Sequence, residues 1–490
     1  VNKASIAALV ALFGWLALQA WSTLAAPPQA ARKAPTTSAP AKAPPAATGE
    51  VRYIAVGGGA TPEYTEVSLE QDIQLATQVL RGPGIVLFAG GSDSSSVRTL
   101  TAEPPAASLL RSLGELFDPR GGRESRYRRT ALTALPASSE NFEKSFAQAL
   151  RAGREPLLVY VASHGLQGEH PRDNHVELWG GEPLDVVQLD KLEGAALRPV
   201  RFVIASCYAG GFAELAFNHA DASQGPTHAP RCGLFAGTWD RETSGCDPNP
   251  DRRAQEGYSM HVLHALRSED RSGHALPLEQ LDLDGDGRVS LLEAHTRARI
   301  VSHSIDVPTT TSERYLREVE HRQASPNLKL LPEEAAVVQQ LGARLHLSSK
   351  AAAEKRYKDL GARLDALQAE LDVADAELER TQGRLAAQLL GHWPVLNDPY
   401  HDDFATVLGQ NGAAIQKVLS ASPEAKEYTR ARSRVEELSA QASAIDPDEA
   451  VALRLLRAYE TLSLAAALNA RGGAALQHYQ ALLACERSVP

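Results

Sequence analysis

Four short apolar runs, at residues 51–56, 84–88, 157–162 and 200–205, constrain this chain more than any other feature. Each is apolar at successive rather than alternate positions, which marks a strand buried on both faces, and strands of that kind belong to parallel sheets. The intervening segments at residues 68–80 and from Ser139 onward carry helical periodicity and can serve as crossovers. The expected fold is therefore an α/β domain, a parallel-sheet sandwich with helices on both faces. Its chemistry should lie at the carboxyl ends of the strands. Composition agrees: 43% hydrophobic and 22% charged residues exclude wholesale disorder and a polytopic membrane protein. The 50 basic against 60 acidic side chains leave a net charge of −10, which argues against a nucleic-acid partner.

Two strand ends carry reactive residues. The run ending at Ala162 leads into Ser163-His164-Gly165, and the run ending at Ala205 leads into Ser206-Cys207-Tyr208-Ala209-Gly210-Gly211-Phe212. A thiol needs a base to become a nucleophile, and imidazole has the pKa for that near neutrality. One crossover unit separates the two residues, so neighbouring strands can bring them together. A buried structural Cys and an isolated strand-end His is the bland alternative for either residue alone. Gly57-Gly58-Gly59 lacks the Lys-Ser/Thr of a phosphate loop and reads as close backbone packing.

His-Gly after one strand and Cys-Tyr-x-Gly-Gly-Phe after the next resemble the bacterial relatives of legumain, cysteine peptidases of the caspase clan. Gly57-Gly58 with Ser68-Leu69-Glu70, and the segment from Phe235 to Cys246 followed by Tyr258 and Leu263, extend the resemblance over residues 51–266. It implies a caspase-like fold and an endopeptidase acting on a peptide or protein substrate through a thioester acyl-enzyme. In that mechanism His164 is the base and Cys207 the nucleophile, and Gly165 and Cys207 supply the backbone donors of an oxyanion hole. It also makes residues 235–239 the strand on which substrate lies, with Trp239 walling a subsite and Asp240 reading a basic group. Ala205 stands where the relatives carry an acidic pocket residue, so their specificity does not carry over. No third, orienting residue is evident. The alternative is a catalytically silent scaffold acting in envelope assembly or protein interaction through its helices.

Residues 282–293 fit the twelve-residue calcium loop of an EF-hand. Asp282, Asp284 and Asp286 occupy positions 1, 3 and 5, the Arg288 carbonyl position 7, Ser290 position 9 and Glu293 position 12. A single such loop reads as a structural Ca2+ brace. Farther on, Tyr357, Leu360, Leu364, Leu367, Leu371, Ala374, Leu378, Thr381 and Leu385 recur at steps of three and four, a coiled-coil seam. A second helix is expected from Pro423 to Ala442, a third capped by Asp446 with Pro447 in its first turn, and a last one containing Cys485. These helices suit self-association or autoinhibition.

The organisation expected is then a signal peptide or membrane anchor at 1–26, a Pro/Ala-rich linker at 27–49, the peptidase domain at 50–275, the calcium segment at 276–330 and a helical coiled-coil or bundle domain at 331–490. The leader places the chain outside the cytoplasm, periplasmic or secreted, or tethered to the membrane. There Cys232 and Cys246, which flank the substrate strand, are either bridged or free.

Overall fold

Alternation along each strand decides which layer of helices a side chain meets. In the computed structural model, which describes residues 50–101, 108–119, 125–194 and 196–490, Ile54, Val56, Val159 and Val161 face one core while Tyr53, Ala55, Leu158 and Tyr160 face the other. The expected leader and linker lie outside the described residues. Among those described, no helix is long and apolar enough to cross a membrane.

The strands are β1 (Tyr53–Gly58), β2 (Gly84–Phe88), β3 (Val97–Leu100), β4 (Ser125–Arg128), β5 (Leu157–Ser163), β6 (Gly165–Leu166), β7 (His175–Glu177), β8 (Pro183–Asp185), β9 (Val200–Ala205), β10 (Arg231–Phe235) and β11 (Thr309–Thr310). Six form the central sheet in the order β11-β10-β9-β5-β1-β2. All its neighbours are parallel except β10 and β11. The sheet is thus mixed, where an all-parallel one was expected. β11 is two residues long, too short to leave an apolar run in the sequence.

The helices are α1 (Val67–Val79), α2 (Leu109–Phe117), α3 (Ser139–Arg151), α4 (Val186–Glu193), α5 (Tyr258–Leu266), α6 (Leu291–Val301), α7 (Thr311–Val319), α8 (Pro332–Leu345), α9 (Lys350–His392), α10 (Phe404–Ala421), α11 (Pro423–Arg471) and α12 (Ala474–Glu486). α3 and α4 cover one face through Phe142, Phe146, Val186 and Leu189. α1, α5, α6 and α7 cover the other through Leu69, Ile73, Tyr258, Leu263 and Leu316.

The packing does not divide near residue 331. Val337 and Leu341 of α8, Val451, Leu455 and Leu462 of α11 and Leu482 of α12 share one core with the strands and with α1 and α5. Beyond this core α9 and the first half of α11 run antiparallel, with Leu371 and Ala374 against Leu438 and Ala442. Their far end, with Leu385, Leu389 and Ala425, packs on Leu113 and Leu116 of α2.

A helix break was expected before Pro447, but α11 is continuous over 49 residues with Pro447 inside it. An interior proline costs roughly 3 kcal/mol through its missing N–H and its clash with the preceding turn. Ala442, Ala450 and Val451, all buried on either side of it, offset that cost by packing. Arg454, 1% exposed, then ties α11 into the domain. Its guanidinium donates to the carbonyls of Asp306 (2.6 Å), Ser302 (2.8 Å) and Ser304 (2.7 Å).

Cys232 bonds to Cys485 of α12, with Cα atoms 6.1 Å apart, and Cys246 is free. The bridge weighed between Cys232 and Cys246 is therefore not the one formed. Cys232 lies two residues from Leu234 and shares its side of the sheet, the side on which α12 packs. Replacing both Cys232 and Cys485 by Ser should lower unfolding stability by about 3 to 5 kcal/mol, given the length of the closed loop. Denaturant midpoints of the oxidised wild type and the double variant provide the measurement.

Candidate functional site

Register places the site. β5 and β9 pair with Ala162 opposite Ala205, so two residues farther along, past the carboxyl ends of adjacent central strands, His164 and Cys207 emerge side by side. Only glycine fits at 165, because a Cβ there would lie 2.1 Å from the Cys207 carbonyl oxygen. Tyr208, the residue after the thiol, adopts φ +58°, a left-handed turn that swings the chain away from the strand.

The third residue absent from the sequence reading is Glu66, at the amino end of α1. It is 3% exposed, and its Oε2 lies 2.9 Å from His164 Nε2, while its Oε1 accepts from Arg98 at 2.7 Å. Nothing in the sequence marks it except its position just before Ser68-Leu69-Glu70. The edge of the Tyr64 ring closes on the imidazole, with centroids 5.7 Å apart.

Cys246 completes the group. Its thiol lies near the His164 ring: one ligand atom each of Glu66, His164 and Cys246 lie within 4.8 Å of one another. Burial acts to lower the His164 pKa, but the Cys246 and Glu66 groups outweigh it and hold the ring well above its ordinary value. Burial would raise Glu66, yet its contacts with His164 and Arg98 keep the carboxyl below the usual range. The Glu66 carboxylate thus favours the charged form of the ring.

Cys207 is turned differently. Its Sγ accepts from the Thr243 backbone N–H at 3.2 Å. Among the described residues no hydrogen bond joins it to His164. Burial, and next the neighbouring Cys246, push its thiol up to about 12 despite the Thr243 contact.

The loop of residues 239–246 lies across this thiol and is held from several sides. Tyr208 N–H donates to the Arg241 carbonyl at 2.8 Å. Asn174 Nδ2 donates to the carbonyls of Trp239 (2.7 Å) and Tyr208 (2.9 Å). Ser244 N–H donates to Asp306 Oδ1 at 2.6 Å. Arg241 makes a two-pronged pair with Glu449 of α11, at 2.6 and 3.2 Å, and the Glu449 side chain is 4% exposed. The long helix α11 thus reaches the site directly.

Of the expected substrate residues, Ala205 lines a pocket beside the thiol together with Asp72, Ser244, Cys246, Arg252, Glu256 and Met260. The acids there are already paired, Asp72 with Arg252 and Glu256 with His261 and Arg271. In this conformation the pocket has room for about one water molecule. Trp239 and Asp240 lie outside it. Trp239 is 37% exposed, and Asp240 accepts from the Thr238 hydroxyl at 2.7 Å. The strand expected over residues 235–239 ends instead at Phe235, where the chain enters a turn closed by Arg241 N–H and the Thr238 carbonyl.

The acidic loop before α6 is a second, separate site. Oxygens of Asp282, Asp284 and Glu293 cluster within 4.8 Å. Asp286 is outside that cluster, its Oδ1 accepting from Arg288 N–H, and Ser290 caps α6 in a reciprocal pair with Glu293. Gly287 at the sixth position has φ +83°. Leu291 N–H at the end of the loop donates to the Ser488 carbonyl, tying it to the chain's tail.

Neither the protein-family models nor the curated proteins searched match this chain.

Glu449→Gln should loosen the loop over Cys207, since Arg241 would lose its partner charge. Alkylation of Cys207 by iodoacetamide, followed by peptide mapping, should then run several-fold faster than in the wild type. Equal rates would mean that the Asn174 and Asp306 contacts alone hold the loop.

Proposed function

We propose that this chain is a cysteine endopeptidase of caspase-like architecture, similar to bacterial legumain relatives, held in a closed state by its own loop and by α11. The observation that carries the reading is the emergence of His164 and Cys207 side by side at the ends of β5 and β9, with Glu66 on the imidazole. Adjacent parallel strand ends are where such sheets place their chemistry. A carboxylate behind an imidazole fixes the ring and stabilises its charged form.

Acylation requires the Cys207 thiol to leave Thr243 and turn to the ring, so residues 239–246 must move aside. The neutral ring of His164 takes the Cys207 proton, and the thiolate so formed attacks the peptide carbonyl carbon and forms a C–S bond. The imidazolium of His164 gives its proton to the departing amine nitrogen as the C–N bond breaks, leaving a thioester. Water attacks the thioester, His164 takes its proton, and the acid leaves as the thiol is restored. Backbone donors at Gly165 and Cys207 face the developing oxyanion. A peptide or protein is the substrate, and Glu449 makes the C-terminal helices inhibitory. A silent scaffold is the second reading, favoured by the covered thiol and the filled pocket beside it.

Cys207→Ala should abolish hydrolysis of a peptide library by the purified chain, and His164→Ala should slow it by at least 100-fold. Full activity in Cys207→Ala would remove the assignment of the nucleophile. No cleavage by the wild type, with or without Glu449→Gln, would favour the scaffold.

We propose further that residues 282–293 hold one Ca2+. The donors are all oxygens, two of the cluster's three carboxylates sit at the first and third loop positions, and Glu293 at the twelfth is aimed back at them. Because the loop is bonded to the tail at Ser488, the ion would brace α6 and α12 together. The thermal midpoint should rise with Ca2+ at concentrations far above Kd, by the equivalent of about 3 kcal/mol at a hundredfold excess. Glu293→Gln should erase the difference from chelator-treated protein.

A further inference from the structure

We propose that Glu66, His164 and Cys246 form a binding site for a divalent transition metal of the Zn2+ type, and that the metal shuts the site by occupying the imidazole. The donor set is a carboxylate oxygen, an imidazole nitrogen and a thiol sulfur from three separate segments, the loop before α1, the end of β5 and the loop after β10. Such a mixture of thiolate and imidazole selects zinc and its neighbours over calcium or magnesium.

The distances suit it. Tetrahedral zinc with bonds of roughly 2.0 to 2.3 Å places its ligand atoms roughly 3.3 to 3.7 Å apart. The three atoms here lie within 4.8 Å of one another, with the His164 and Glu66 pair at 2.9 Å. To admit the ion the hydrogen-bonded His164–Glu66 pair must part by roughly 0.4 Å. Arg98 already holds Glu66 Oε1 at 2.7 Å, which leaves Oε2 directed at the ring and the metal. Outer contacts of this type orient carboxylate ligands. Cys246 has no disulfide partner, since Cys232 is bonded to Cys485. Three protein ligands leave a fourth position, open to water or to the neighbouring Cys207.

Binding displaces the His164 proton and the Cys246 proton to solvent, and no bond in the chain is broken. A ring bonded to metal can neither accept nor give a proton, so the inhibitory role rests on the peptidase reading, whereas the metal site does not.

The test uses the full chain as Cys207→Ala, with the Cys232–Cys485 bridge intact, so that Cys246 is its one free thiol. Co2+ is the probe. One equivalent should produce the near-ultraviolet charge-transfer absorption of a cobalt–thiolate bond, and added Zn2+ should remove it. Adding Cys246→Ser, or separately Glu66→Gln, should weaken Co2+ binding at least tenfold, with thermal midpoints confirming that both variants are folded. No thiolate band in Cys207→Ala, or an equal affinity after Cys246→Ser, would overturn the site. Peptide hydrolysis by the wild type with and without equimolar Zn2+ tests the consequence. Cleavage unaffected at saturating Zn2+ would overturn the inhibitory role. A cobalt site in a chain that cleaves nothing even when metal-free and carrying Glu449→Gln would remove the peptidase reading and leave the metal site standing.

Discussion

The pairing of β5 with β9 is the constraint on which the site depends. Slipping one strand by a single residue would reverse the faces of its side chains and carry His164 away from Cys207. The register is held because the apolar residues of the two strands alternate between two cores. Val159 and Val161 meet Phe202 and Ile204 on one side, while Tyr160 meets Val203 on the other. Burial on both faces therefore fixes the positions of two polar side chains that contribute nothing to it.

The long helix α11 acts on the same site by polar routes. Arg454 is bonded to the carbonyls of residues 302–306, and Asp306 in turn holds the Ser244 N–H. Glu449, a turn and a half earlier on α11, holds Arg241. Both paths end on the loop over Cys207. A buried guanidinium carries a desolvation cost of several kcal/mol unless its donors are met. Arg454 meets that requirement with backbone carbonyls, so it pins the segment's conformation instead of a partner's charge.

The four apolar runs were legible because double burial leaves an uninterrupted signal, and His164 and Cys207 were legible because they follow those runs. Glu66 was not. Its partner lies about a hundred residues away, and a Glu at a helix start has an ordinary local explanation. Cys232 and Cys246, which flank one expected strand, were read as either bridged or free, whereas the sheet presents Cys232 to α12. Asp446-Pro447 carries a sound local start signal, yet packing on both sides of the proline keeps α11 whole. Local chemistry was readable, and what it missed was contacts assembled from distant segments.

The bridge from Cys232 to Cys485 also bears on the order in which the molecule can be made. A ribosome completes β10 long before it reaches α12, so the stretch of sheet that α12 packs on waits without that helix while the second half of the chain is still being synthesised. During that interval Cys232 is a third free thiol in a chain that already carries Cys207 and Cys246. The correct partner is the last of the four cysteines to appear. Whatever oxidises this protein must do so late, or must be able to undo an early pairing.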